Sequence, residues 1–495
     1  MVFILFISIL IFYKYKAVKG TQTSIFLTKN GTQLQLYGQP YNFTGVNVFN
    51  AATYGHVNAG CGSQISDADL DALFSNLRPN SIVRFWAWQG SMATNVTTKQ
   101  LDWTGIDRVI SHASLHGQRL IISLGDQAGT CDDALWKDVS WYNGGFTQVH
   151  NPTGMTPLSY WNFAQQIVAR YKDSPTIAMW ELINEPEAST CAPGYGSTNC
   201  YAHLSCPDEQ AAANSLRYFF DTVGGKVKSI DPNHLIESGV IGNGQCGAIW
   251  TDYQYIHESS GIDVASYHDY TAPDSPMPGD QWNGLQERLD QMKAVQKPLI
   301  IGEVGMIAMN NSTNCMSLTS RRDKIKAKMD AQIPAGVAGY IPWNWTSTDS
   351  SICNYDFSPI DPLMSLLQTY PLLTVIAPPT PTGAITPTPT SVFAVTPTPT
   401  IDTILPSVSI TKPLTGSTVP RNTTIVLSAQ ATDNDAISSV NFYINDSQQC
   451  SVKIAPYNCN WRVPARKNIS SYTIRATATD LSGNTNSTVN TVTAK

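Results

Sequence analysis

The chain has 495 residues, of which 42% are hydrophobic and 14% charged, and a net charge of −6. That is ample apolar material for a large core and more than one domain, which excludes a disordered chain. No basic stripe accompanies the mild negative charge, so nucleic acid is not an expected partner and a neutral one fits better.

Residues 1–20 read as a signal peptide or N-terminal anchor: the apolar run Met1–Tyr13 is followed by Lys14, Lys16 and Lys19 and is too short to span a bilayer comfortably. No lysine or arginine precedes the run, no clear small-x-small cleavage site follows it, and the lysines would hold that side in the cytoplasm. Secretion and cell-surface attachment both remain open. Ten cysteines favour an oxidising compartment and read as disulfides, Cys450 and Cys459 falling in the C-terminal part. A zinc reading would rest on Cys200, His203 and Cys206, with no second matching cluster, so no metal and no cofactor is expected.

Residues 23–41 read as a small hairpin about Asn30-Gly31 that could cap a barrel floor. Tyr41–Phe49 follows as a first barrel strand, and Ser66-Asp67-Ala68-Asp69 resembles a capping box opening a helix with Leu70, Leu73 and Leu77. Ser81–Trp86 is a second strand and carries Arg84, an arginine in an apolar run that needs a partner if buried. Ile106–Leu115 has helical spacing, and Arg119–Leu124 is a third strand ending in Gly125-Asp126-Gln127. Trp136, Trp141 and Tyr142 in the loop beyond are either sugar platforms or packing of the loop on itself.

Helix Tyr160–Tyr171 leads to the apolar run Thr176–Trp180, which continues to Asn184-Glu185-Pro186, where the proline breaks the strand. Glu185 therefore stands where strand passes into loop, the position from which parallel α/β barrels present catalytic groups. Glu181 shares strand parity with it and should point inward, with Arg84 the candidate partner for its charge. A helix over roughly Glu209–Ile230, a fifth strand at His234–Val240 and a sixth at Asp263–His268 follow; His268 and Tyr270 share a parity. Helix Leu285–Val295 precedes Pro298–Gly305, a second apolar run ending in a carboxylate, Glu303, flanked by glycines. A basic helix Arg321–Ile333 and an eighth strand Gly339–Trp345, with Trp343 near its end and Asn344 in a glycosylation sequon, complete the repeat.

Eight alternating strand–helix units argue for a (β/α)8 TIM barrel within residues 21–376. Two glutamates facing one another across its mouth, about 5–5.5 Å apart, would suit glycoside hydrolysis with retention. Residues 377–405, with proline at every second place in Thr-Pro-Thr-Pro-Thr, read as an extended linker. Residues 406–495 alternate as a β-sandwich would, with Cys450 and Cys459 as its staple.

These residues together resemble a known family. Trp-Glu-Leu-Ile-Asn-Glu-Pro at 180–186, Ser-Tyr-His-Asp-Tyr at 266–270, Ile-Gly-Glu-Val-Gly at 301–305, Arg84 and Trp343 are similar to family 5 of the glycoside hydrolases, in the retaining barrel clan. The resemblance implies Glu185 as acid/base, Glu303 as nucleophile, Asn184 holding the sugar 2-hydroxyl, Tyr270 and Arg84 orienting the nucleophile, His268 lining the site and Trp343 stacking under the sugar. Where many members carry a histidine after the third strand, this chain has Gly125-Asp126-Gln127. The loop style looks most like β-mannanases, with β-1,4-glucanases the alternative; a non-catalytic surface glycan-binding protein or adhesin is the alternative of another class. The tail resembles bacterial Ig-like domains of secreted glycosidases, whose contact would be a cell surface or glycan. The implied partner is a β-linked polysaccharide, and the chain reads as a monomer.

Overall fold

The computed structural model describes residues 24–495 except 192–203, 207, 271, 311–313, 376–404, 434–436, 453–456, 466–469 and 481–483. The N-terminal signal or anchor, the linker apart from Leu405, and Cys200 and His203 lie outside the described residues. The chain divides into two compact units near residue 380.

In the first unit eight parallel strands alternate with helices. They are β1 (Phe43–Asn47), β2 (Ile82–Trp86), β3 (Arg119–Ser123), β4 (Ile177–Glu181), β5 (Leu235–Glu237), β6 (Ala265–Asp269), β7 (Leu299–Val304) and β8 (Val337–Pro342). Hydrogen bonding runs β5-β4-β3-β2-β1-β8-β7-β6, and a parallel bridge between Glu237 and Val264 joins the two ends, closing the barrel. The outer helices are α1 (Asp67–Asn76), α2 (Thr104–Leu115), α3 (Tyr160–Tyr171), α4 (Glu209–Phe219), α5 (Trp250–His257), α6 (Leu285–Ala294), α7 (Leu318–Ala335) and α8 (Pro362–Thr369). The capping box at Ser66 and Asp69 forms as its sequence suggests, each side chain meeting the other's backbone N–H. After α4 a π-type turn over Phe220–Gly224 carries the chain into a last helical segment, Gly225–Ile230.

The strands are buried on both faces, and the alternating direction of their side chains sorts the barrel into layers. Ile82, Ile121, Met179, Leu235, Val264 and Ile300 fill its lower interior, and Leu27, Leu34 and Leu36 of the N-terminal antiparallel strands pack on them from below. That small sheet, Thr28–Asn30, Gln33–Leu36 and Gln39–Tyr41, is the floor cap, turning at Gly31 with φ +59°. The intervening residues Val83, Trp180 and Ile236 face the helices. One step further up, parity therefore directs Arg84, Glu181 and Glu237 inward, above the apolar plug.

One loop feature differs from the sequence reading, and three that it left open are decided. β4 ends at Glu181 rather than at Glu185. Trp136, Trp141 and Tyr142 are buried, Trp141 against Phe219 and Tyr160, so they pack the loop and offer no sugar platform. Asn344 is buried and closed to glycosylation once folded. Cys206 is tied to Cys246 and is no zinc ligand. Further disulfides join Cys61 to Cys131 and Cys315 to Cys353, so each of the three bridges links loops that follow barrel strands.

The second unit is a β-sandwich. One sheet has Ser407–Lys412, Thr424–Thr432 and Tyr457–Arg462; the other has Thr418–Val419, Thr485–Ala494, Ser471–Asp480, Ile437–Ile444 and Ser447–Val452. Leu427, Phe442, Trp461 and Ile474 are buried between them, and Cys450–Cys459 ties one sheet to the other.

Candidate active site

Arg84 organises the barrel mouth. Its side chain is 1% exposed, and all three of its nitrogens are engaged: Nε and Nη2 donate to Glu181 at 2.5 and 2.8 Å, Nη1 to Asn47 at 2.9 Å and to Glu303 at 2.8 Å, and Nη2 to Asn184 Oδ1 at 2.6 Å. A buried guanidinium needs its donors satisfied, and here its planar fork fixes two carboxylates and two amides in one frame. The Arg84–Glu181 pairing that strand parity suggested is present.

Glu303 reaches this frame by an irregularity. With Ile301 facing the helices, strict alternation would turn Glu303 outward as well. The β6–β7 register instead jumps from Tyr267↔Ile301 to His268↔Glu303, leaving Gly302 as a bulge and returning Glu303 to the interior. Tyr270 donates to its second oxygen at 2.6 Å. Burial pushes the Glu303 carboxyl upward, against the opposing pull of His268 and Arg84.

Glu185 sits four residues beyond the end of β4 and has φ +52°, a strained position for a residue with a side chain and one that clusters at functional sites. The neighbouring strand ends hold it: Glu185 N donates to Gly239 O at 2.9 Å, and Asn184 N to Gly125 O at 2.8 Å. Gly239 itself has φ +71°, and a Cβ there would fall 1.9 Å from the Ile183 carbonyl oxygen, so only glycine fits. His268 Nδ1 lies 2.9 Å from Glu185 Oε1 and 3.7 Å from Glu303 Oε2. Burial works against the imidazolium, but Glu303 and Glu185 outweigh it and raise the His268 pKa.

All seven residues singled out from sequence, Arg84, Asn184, Glu185, His268, Tyr270, Glu303 and Trp343, come together at one end of the barrel. Six others went unremarked in that role. Asp126 accepts from Asn184 Nδ2 at 3.1 Å, and burial drives its pKa up to about 7 despite Lys137. Glu237 lies beside Glu181 on the neighbouring strand, Asn47 braces Arg84, and Trp86, Trp88 and Tyr355 line the mouth. Glu237, a carboxylate inside the apolar strand His234–Val240, was the visible clue among these.

Above the charged layer lies a cleft of about 400 Å³ lined by Asp126, Asn184, Glu185, Tyr270, Glu303 and a set of aromatic rings. Trp86 stacks on Trp88 at 3.8 Å, and Trp343 on Phe49 at 5.4 Å, giving flat apolar walls beside a hydrogen-bonding floor. One ligand atom each from Glu185, His268 and Glu303 falls within 4.8 Å of the others. This donor set could hold a metal ion, but Arg84 already places a cation against Glu303, and its charge opposes a second.

Comparisons with known proteins agree with this geometry. Residues 34–349 match the family model for cellulase (glycosyl hydrolase family 5), and residues 406–476 that for a bacterial Ig domain. Mannan endo-1,4-beta-mannosidase 8 of Oryza sativa subsp. japonica is 26% identical over 325 residues, which is 56% of this chain and 78% of the relative. Mannan endo-1,4-beta-mannosidase 4 of Solanum lycopersicum is 27% identical over 347 residues, 61% of this chain and 79% of the relative. Among solved structures, the endo-1,4-beta-mannanase from Rhizomucor miehei shares the fold with a TM-score of 0.50 at 19% identity, over 70% of this chain and 97% of that one.

Proposed function

The chain belongs to glycosyl hydrolase family 5, and from that premise we propose that it cleaves β-1,4-linked mannan internally, with retention at the anomeric carbon. The observation that carries this is the pair of glutamates, one in the loop just beyond β4 and one near the end of β7, with carboxylate oxygens within 4.8 Å of one another. That spacing suits direct attack by one carboxylate and is too close for an intervening water.

In the first step a Glu303 oxygen attacks the anomeric carbon as the glycosidic bond breaks, and Glu185 gives its proton to the departing oxygen. Arg84 and Tyr270 hold the attacking carboxylate in place at 2.8 and 2.6 Å. In the second step water attacks the glycosyl ester, Glu185 takes the water proton, and Glu303 leaves as a carboxylate. Asn184, its oxygen fixed by Arg84 and one N–H by Asp126, has a second N–H for the sugar 2-hydroxyl. Trp343 offers a ring on which the sugar stacks.

The mannan preference rests on the similar mannosidases. The disulfides fit an oxidising compartment, and on this reading the chain is exported as a monomer, by a cleaved signal or an anchor within residues 1–20, with the Ig-like unit contacting surface or glycan. Product analysis on mannan, glucomannan, carboxymethylcellulose and xylan tests the proposal. Manno-oligosaccharides from the first two are expected. Products from carboxymethylcellulose alone would make the protein a glucanase, and no product from any polymer would favour a binding protein.

A further inference from the structure

Trp250 and Trp282 are the most exposed tryptophans among the described residues, at 57% and 58%, and neither lines the catalytic cleft. They share a separate hollow of about 670 Å³ with Thr251, Gln281 and Glu287. Trp250 opens α5 after the β5 loop, and Trp282 lies just before α6 after the β6 loop. Both stand on the face of the barrel that carries the cleft.

The two segments are fastened to each other from beneath. Trp250 N donates to Asn283 Oδ1 at 2.9 Å, and Trp282 N to Asp280 Oδ1 at 2.8 Å. Arg288, fully buried, donates from Nη1 to Trp250 O at 2.6 Å and from Nη2 to Asn283 Oδ1 at 2.7 Å, with further bonds to the Gly242 and Ala248 carbonyls. Among the described residues it makes no ion pair. A buried guanidinium without a carboxylate is costly, and here its donors are committed to holding two indole-bearing loops in register. Trp250 also keeps φ +45°, a strained conformation of the kind retained at ligand clamps.

We propose that Trp250 and Trp282 form a second, non-catalytic binding platform for the polysaccharide that the cleft cuts. This rests on the reading of the protein as a polysaccharide hydrolase. Paired indoles ringed by neutral and acidic hydrogen-bonding groups suit the apolar face and hydroxyl edge of a neutral sugar chain. The exposed apolar surface here is confined to two side chains, far short of the ~800 Å² per partner that a stable contact between copies buries. A rigid platform also avoids the ordering cost that flexible surface side chains would impose on binding.

The test uses the full-length protein carrying Trp250→Ala, Trp282→Ala or both, measured in retention on insoluble mannan and in turnover of a short soluble manno-oligosaccharide. The double variant should lose retention about tenfold with turnover unchanged, and Trp250→Phe/Trp282→Phe should recover part of the retention because a ring remains. Unchanged retention in the double alanine variant would overturn the proposal. So would a shift from dimer to monomer in sedimentation with retention intact, which would give the surface to a second copy. If the parent cleaves no polymer yet its retention still depends on the two rings, the hydrolase reading fails and the platform stands.

Discussion

Glu237→Gln should change how stability depends on pH while leaving the site's geometry in place. Glu237 Oε1 accepts from Gly239 N at 3.0 Å, whereas Oε2 is buried with no partner of its own and faces Glu181. Two carboxylates cannot hydrogen-bond without a proton between them. Arg84 holds Glu181 ionised, so the proton belongs to Glu237, whose pKa burial and the Glu181 charge push well above the ordinary carboxyl range. An unfolded glutamate titrates near about 4.3. Above that pH the unfolded chain releases a proton that the folded chain keeps. This contribution to stability is complete below about pH 4.3 and is lost at up to about 1.4 kcal/mol per pH unit as pH rises toward the folded pKa. Glutamine donates to Glu181 and accepts from Gly239 without exchanging a proton, so the variant should gain steadily on the parent as pH rises from 5 toward 7, by at most about 1.4 kcal/mol per pH unit. Urea unfolding at pH 5, 6 and 7, followed by tryptophan fluorescence, reads the difference. Parallel stability curves for the two proteins would show that Glu237 is ionised in the fold and refute the reasoning.

Glu303→Ala should abolish hydrolysis, whereas Glu185→Ala should retain turnover of aryl glycosides with good leaving groups, since a stable leaving anion needs no acid; kinetics over a leaving-group series would show it. Tyr270→Phe removes the 2.6 Å bond to Glu303, and a hydrogen bond to a charged group is worth about 1.5–3 kcal/mol, so kcat/KM should fall by about 10- to 150-fold in steady-state assays. Truncation after Val375, which packs against the barrel floor, should leave turnover of short soluble oligosaccharides nearly unchanged, with any loss confined to insoluble polymer.

Much of this arrangement is legible in the chain because it depends on short-range rules. Strand parity and the need of a buried charge for a partner brought Glu181 and Arg84 together, and apolar runs ending in Glu185 and Glu303 marked two strand ends. The details that aim the carboxylates are different in kind. The bulge at Gly302 and the φ of +52° at Glu185 arise from how neighbouring strand ends pair, which no local pattern encodes. Trp136, Trp141 and Tyr142 have the composition of a sugar platform, and only tertiary packing puts them inside. Asp126 stood out in sequence as a departure from the family pattern, and its bond to Asn184 gives it a place at the site. Helix α8, starting at Pro362 behind an Asp361 cap, has a readable N-terminal signal that the reading of the barrel's end passed over.

The most direct measurement is to trap the intermediate with a 2-deoxy-2-fluoro-mannosyl fluoride, whose fluorine slows both steps while the good leaving group lets the first proceed. Peptide mapping by mass spectrometry should then find the fluorosugar on the peptide containing Glu303, as an ester on that side chain. A label on Glu185, or no label from an enzyme that releases the inverted anomer, would contradict the assignment.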